Sequence, residues 1–232
     1  HCSVRRQRQM CIRDSIVGVD LIRTGKDDFY VLEDNCRTPS GVSYMLENRE
    51  IMMKMFPDLF HSNRVLRVDD YPTRLLQTLM SLAPKKCDSS VPTVVLLTPG
   101  HLNSAYYEHT FLSDQMGIEM VEAQDLFVEN DFLYMKTVDG PKKIDVVYRR
   151  IDDDYLDPLA YNPNSVIGVP GITHVYKTGG VNICSAPGAG IADDKAVYIY
   201  VPEMIKFYLG ETPILDNVQT WRCERDDDLK YV

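Results

Sequence analysis

Asp20, Glu33 and Asn35 are the residues whose types and spacing most readily do chemistry. Asp20 is the lone acid in the apolar run IVGVDLI, residues 16–22, and Glu33 and Asn35 close a second apolar run, FYVLEDN, residues 29–35. The short polar connection TGKDD between them contains a glycine, which is a hairpin signal. With the turn centred between Lys26 and Asp27, Glu33 falls opposite Asp20. Strand alternation then puts Asn35 on the face of Glu33 and Asp34 on the other. Two carboxylates and an amide oxygen form a hard donor set, suited to magnesium or manganese held against phosphate oxygens. Without a cation the two acids would repel and partly neutralise. The competing reading is an exposed sheet in which EDN merely begins a loop, and a register slip of one residue would turn the set over.

Four further places carry candidate residues. Arg37 follows the hairpin and could hold a phosphate or carboxylate oxygen. YRRIDDDYLDP puts Arg149 and Arg150 at the end of an apolar run, where an arginine can grip an anion or pair with the following aspartates. LLTPGHLNSAYYEH offers Asn103 and Ser104 at a helix start, an anion-binding position. His109 beside Glu108 suggests acid–base work, although a helix-surface histidine is more often structural. APGAGIADDK is neither a Walker A loop nor GxGxxG. Gly188 and Gly190 make a tight turn there, with Lys195 as the cation for a phosphate.

The elements that must position these residues follow from periodicity. After the hairpin, VSYMLENREIMMKMF has helical spacing, with Ser40 or Gly41 placed to cap it and Met45, Met52, Met53 and Met55 expected in the core. YPTRLLQTLMSLA is a second amphipathic helix. Beyond the polar loop PKKCDSSVP, apolar runs alternate with helical segments: TVVLLTPG, IEMVEA, KKIDVVYRR and VNIC read as strands, DLFVENDFLYMKTVDG as a hairpin and DDKAVYIYVPEMIKFYLG as helix. That order is the pattern of an open α/β sheet, whose ligands usually bind beyond the carboxyl ends of the strands.

The chain has 232 residues, 44% hydrophobic and 25% charged, with a formal charge of −9. This composition is that of a soluble globular protein and argues against a nucleic-acid surface. No apolar run reaches the roughly 20 residues of a membrane span. Four of the six cysteines (Cys36, Cys87, Cys184 and Cys223) are scattered without a CxxC pair, pointing to a reducing, cytoplasmic compartment. Residues 1–15, HCSVRRQRQMCIRDS, carry four arginines against one aspartate and no apolar periodicity. They read as a non-native leader on a partial chain. The acidic stretch ERDDD near the end reads as a solvated surface.

VDLIRTGKDDFYVLEDNCRTPSG resembles the magnesium-binding hairpin of ATP-grasp ligases, an Asp on one strand and Glu-x-Asn at the end of the next. The blocks LEDNCRTPSGVSYMLENR, VVLLTPGHLNSAYYEH, VVYRRIDDDYLDPL and GAGIADDKAVYIYVPEMI resemble the circularly permuted ATP-grasp type 2 family from about Val17 onward. The resemblance implies an α/β fold: an antiparallel metal-binding hairpin with helices over residues 16–90, and a Rossmann-like, pre-ATP-grasp-like substrate domain over residues 91–232. It implies an ATP- and magnesium-dependent carboxylate–amine ligase working through an acyl phosphate, with manganese an alternative ion and small-molecule or peptide carboxylates and amines as substrates. Asp20, Glu33 and Asn35 fall on the metal-ligand pattern. Arg37, Arg149 and Arg150 stand as catalytic candidates; Ser40, Asn103, Ser104, Gly188, Gly190 and Lys195 stand as substrate or phosphate contacts. Related ligases often carry an Arg two residues before the first Asp, and here that place is Gly18. Family members continue past residue 232, where a nucleotide clamp is expected, so the chain alone is expected to be inactive. The alternative function is a non-catalytic α/β module binding a peptide or small anion.

Overall fold

The computed structural model describes residues 15–232, so the expected leader, apart from Ser15, lies outside the described residues. The chain forms two compact units: residues 15–39 with Ser185–Val232, and Ser40–Cys184.

The first unit opens with the antiparallel strands β1 (Gly18–Arg23) and β2 (Phe29–Asn35). Gly18 pairs with Asn35 and Asp20 with Glu33, the register expected from the sequence. Between Asp20 and Leu21 the register shifts, and Leu21 pairs with Val31. The extra residue makes a bulge, a device that re-aims side chains where pairing is interrupted. The tip is held by Arg23, whose guanidinium donates to the carbonyls of Gly25 (2.7 Å) and Lys26 (2.6 Å).

The second unit begins with the helices α1 (Val42–Met55), α2 (Pro57–Ser62) and α3 (Tyr71–Ser81). Helix α3 buries Pro72, Leu75 and Leu79, one stripe at helical spacing. Helix α1 does not put its methionines in the core, contrary to expectation. Met53 is 51% and Met55 64% exposed, Met45 and Met52 are exposed too, and Ser43 is its buried residue. Its apolar residues are spread round the helix and make no single stripe for another element to cover.

The rest of this unit contains β3 (Val94–Leu97), α4 (Tyr106–Met116), β4 (Glu119–Val121), β5 (Leu126–Glu129), β6 (Phe132–Met135), β7 (Lys142–Ile144), β8 (Val146–Arg149), α5 (Asp153–Leu156), α6 (Ile172–Thr178) and β9 (Asn182–Cys184). β4, β3, β8 and β9 pair in that order as a parallel sheet. Every residue of β3 and β8 is buried, which explains their unbroken apolar runs. β5, β6 and β7 form a separate antiparallel sheet. The β5–β6 turn uses Asn130 and Asp131, both at positive φ, as two-residue hairpins require. One core joins Val95, Leu97, Leu133, Ile144, Val147 and Ile183. The expected boundary near residue 90 falls inside this unit, since α3 and the β3–β8 strands belong to the same compact body.

The chain then returns to the first unit through a 3-10 turn at Ala189–Asp193, α7 (Lys195–Tyr198) and α8 (Val201–Met204), which runs on as a π turn over Ile205–Leu209. β10 (Asp216–Asn217) lies parallel to β2, giving a three-stranded sheet in the order β1-β2-β10. A last helix, α9 (Asp226–Tyr231), takes up the acidic stretch in its first turn, where negative charge suits the helix dipole.

Candidate functional site

In the first unit the hairpin geometry brings Asp20, Glu33 and Asn35 together. Asp20 and Glu33 are cross-strand partners, and Asn35 lies two residues beyond Glu33 on the same strand, paired with Gly18. Asp34 points the other way and is buried. Burial raises the pKa of Asp20, and the neighbouring carboxylate of Glu33 pushes it the same way. Glu33 is lowered, chiefly by the ammonium of Lys195, which donates to its Oε2. The two acids therefore divide: one is pressed toward the neutral form while the other is held as a carboxylate by a cation.

Lys195 is brought there by the turn at residues 188–198. Gly188 has φ 92°, a left-handed conformation that favours glycine, and starts the 3-10 turn. A Cβ on Gly190 would stand 2.5 Å from Nε of Arg37, so a side chain there would displace the guanidinium. Asp193 accepts hydrogen bonds from the backbone N–H of Cys36 (2.6 Å) and Arg37 (3.3 Å), and its other oxygen lies 3.7 Å from Nε of Arg37. Asp194 caps α7 by accepting from Ala196 N at 2.8 Å. The Tyr198 hydroxyl donates to the carbonyl of Val31. Five of the sequence-predicted residues (Asp20, Glu33, Asn35, Arg37 and Lys195) thus meet at one end of β2, with Gly188 and Gly190 shaping the turn that brings the lysine. Asp193 was not expected. It is 157 positions from Cys36, and nothing local in ADDK signals the contact.

The remaining candidates belong to the second unit, where the arrangement differs. Arg149 is fully buried, donates to the Ile151 carbonyl at 2.7 Å and pairs with Asp153 at 2.6 Å. Arg150 is 5% exposed, donates to the Tyr148 hydroxyl at 3.1 Å and faces Glu108 at 3.6 Å. Arg149 ends the fully buried β8 and Arg150 follows it, so alternation turns neither toward solvent, and both guanidinium groups have internal partners. Asn103 is half-buried and accepts from Ala105 N at 2.9 Å, while Ser104 and Ser40 are exposed.

Glu108 has a defined task. Its Oε2 accepts from Gly41 N (2.7 Å), Ser43 N (3.1 Å) and Ser43 Oγ (2.9 Å). The cap expected from Ser40 or Gly41 is therefore supplied to α1 by a carboxylate from α4, satisfying N–H groups left open at a helix start. His109 is buried, hydrogen-bonded through Nδ1 to Thr98 Oγ1 at 2.9 Å, with its pKa lowered to about 4 by burial first and then by the charge of Arg150.

Among the described residues no group of three or more His, Cys, Asp or Glu side chains is arranged to hold a metal; the hairpin set has two carboxylates and an amide. No helix among the described residues is long and apolar enough to cross a membrane, and none of the described cysteines forms a disulfide.

The chain matches, over residues 7–232, the family described as a circularly permuted ATP-grasp, and it belongs to that family. The match begins inside the stretch read as a leader. An uncharacterized protein of Synechocystis sp. is 52% identical over 217 residues, covering 94% of this chain and 45% of the relative. An uncharacterized protein of Mycobacterium tuberculosis is 51% identical over 222 residues, covering 95% of this chain and 40% of the relative. A Frankia alni protein named "Putative glutamate--cysteine ligase 2-3" is 38% identical over 221 residues, covering 95% of this chain and 26% of that protein. The chain spans less than half the length of these curated relatives.

Proposed function

We propose that the chain carries the metal-binding part of an ATP- and magnesium-dependent carboxylate–amine ligase. The observation that carries this reading is the cross-strand pairing of Asp20 with Glu33, with Asn35 beside them, in a chain of the ATP-grasp family. The donor set fits the ion: two crowded carboxylates and an amide oxygen are hard ligands, and the raised pKa of Asp20 is the strain a divalent cation would relieve. Magnesium, or manganese in its place, supplies charge neutralisation between nucleotide phosphates during phosphoryl transfer.

In this reading Asp20, Glu33 and Asn35 hold the ion. Arg37, oriented by Asp193, and Lys195 offer positive charge to phosphate oxygens. A substrate carboxylate oxygen attacks the γ-phosphorus of ATP, giving an acyl phosphate and ADP. An amine then attacks the acyl carbon, phosphate leaves, and the amine loses a proton. The four-stranded parallel sheet of the second unit is read as a Rossmann-like substrate domain, on fold-level analogy. The ligase name of the Frankia relatives supports the reaction class and suggests glutamate as a carboxylate to try. Cytoplasmic placement fits a small-molecule ligase of this kind.

Calorimetric titration of Mn2+ into the chain tests the reading. Glu33→Gln is expected to weaken binding by at least the roughly tenfold that even an outer-shell change costs, with circular dichroism unchanged. Equal affinity in that variant would reject the site.

A further inference from the structure

Lys195 occupies a carboxylate oxygen that the proposed ion would use, and its surroundings suit a group that leaves. Its ammonium donates to Glu33 Oε2, on the carboxylate that faces Asp20 across the strands. Arg37, the other cation of this turn, has Asp193 against its Nε. The backbone on both sides of Lys195 is fixed, by Asp193 on Cys36 and Arg37 and by Tyr198 on Val31. The lysine side chain itself is 58% exposed, against 31% for Glu33. It can therefore swing off the carboxylate without moving its helix.

We infer that Lys195 is an internal stand-in for the divalent ion: it neutralises Glu33 until metal binds, is displaced by it, and then offers its ammonium to a nucleotide phosphate. This rests on the metal reading above. Electrostatics favours the exchange, since an ammonium and a divalent ion on one carboxylate oxygen repel at contact distance. Lysine is the residue for the task, being a compact charge on a flexible four-carbon stem, whereas the planar arginine fork suits fixed pairing. Metal and phosphate binding are coupled as a result: the ion frees the cation that the phosphate needs, and a phosphate that holds Lys195 leaves Glu33 open for the ion. By linkage each ligand strengthens the other.

Two measurements test this on the chain as it stands. In nucleotide-free calorimetry, Lys195→Met should bind Mn2+ about two- to fivefold more tightly than the wild type, the range of one exposed ion pair, and Lys195→Arg should not. Unchanged or weaker binding in Lys195→Met overturns the inference. In the wild-type protein, acylation of Lys195 by an amine-reactive reagent, followed by mass spectrometry, should speed up when Mg2+ is added. Slower or unchanged labelling overturns it as well. If neither the wild type nor Lys195→Met binds Mn2+, the metal reading fails with it. If the wild type binds and Glu33→Gln does not, while Lys195→Met matches the wild type, only the stand-in role is lost.

Discussion

Each unit holds a cluster of charged side chains, built from similar residues and put to different use. In the second unit Glu108, Arg149 and Arg150 are buried, and each is held by neighbours: backbone N–H groups for the glutamate, a backbone carbonyl, Asp153 and Tyr148 for the arginines. In the first unit Asp20, Glu33 and Lys195 are partly open to solvent, and two acids share one lysine. A buried, internally paired cluster is a structural device, because any exchange of partners leaves a charge desolvated. A half-open cluster with one charge too few can exchange partners cheaply. The arginines read from the sequence as possible anion grips are in the first kind of cluster, and the chemistry is proposed for the second.

The sharpest way to break this comparison is to remove one glutamate from each cluster. Glu108→Ala deprives α1 of its cap and leaves Arg150 facing an empty place. It should cost about 3–5 kcal/mol, the range for breaking a buried pair, read from urea denaturation. Glu33→Gln should change stability by no more than about 1 kcal/mol, as for a half-exposed pair. Equal losses would mean that the hairpin cluster is structural too.

A pH titration separates the clusters next. His109 has an ordinary pKa of 6.5, lowered to about 4 in the folded chain. Between those values the unfolded chain binds the proton and the folded chain does not. The contribution is therefore fully present above pH 6.5 and is lost as pH falls toward 4. Acidifying from pH 7 to 4.5 should cost on the order of 2 kcal/mol through this residue. His109→Gln should flatten that part of the profile; an unchanged slope would assign it to other groups.

How much could be read beforehand differs between the clusters for physical reasons. The Asp20–Glu33 register was legible because hairpin pairing is local and alternation fixes faces. The bulge was not, since nothing in LEDN marks the extra residue, and the register nearer the tip differs by one. The strands β3 and β8 were legible as unbroken apolar runs. The same burial leaves alternation uninformative for Arg149, because a strand covered on both faces has no solvent side for it to reveal. Contacts between distant segments left no local trace: Asp193 with Cys36, and Lys195 with Glu33, 162 positions apart. Glycine and acidic residues in GAGIADDK suggested a turn near phosphate, yet not which strand would receive it.

Asp193→Ala tests whether that unforeseen contact orders the hairpin end. It removes the acceptor for two backbone N–H groups and should cost about 1–2 kcal/mol. Asp193→Asn keeps an acceptor and should cost less. Thermal denaturation reads both, and equal effects would attribute the loss to charge with Arg37 rather than to the backbone bonds.

The smallest expected effect concerns α1, where composition and placement disagree most. If its methionines were core, replacing one with a polar residue would cost at least the roughly 2–5 kcal/mol of a large-to-small change. With Met53 and Met55 more than half exposed, Met53→Gln and Met55→Gln should each stay within about 0.5 kcal/mol of wild type in the isolated chain. Helix propensity does not confound the test, because glutamine and methionine are similar helix formers. A loss several times larger would show that this face is covered in solution, and urea titrations at two protein concentrations would then tell self-association from burial within one molecule, since only the former makes the midpoint concentration-dependent.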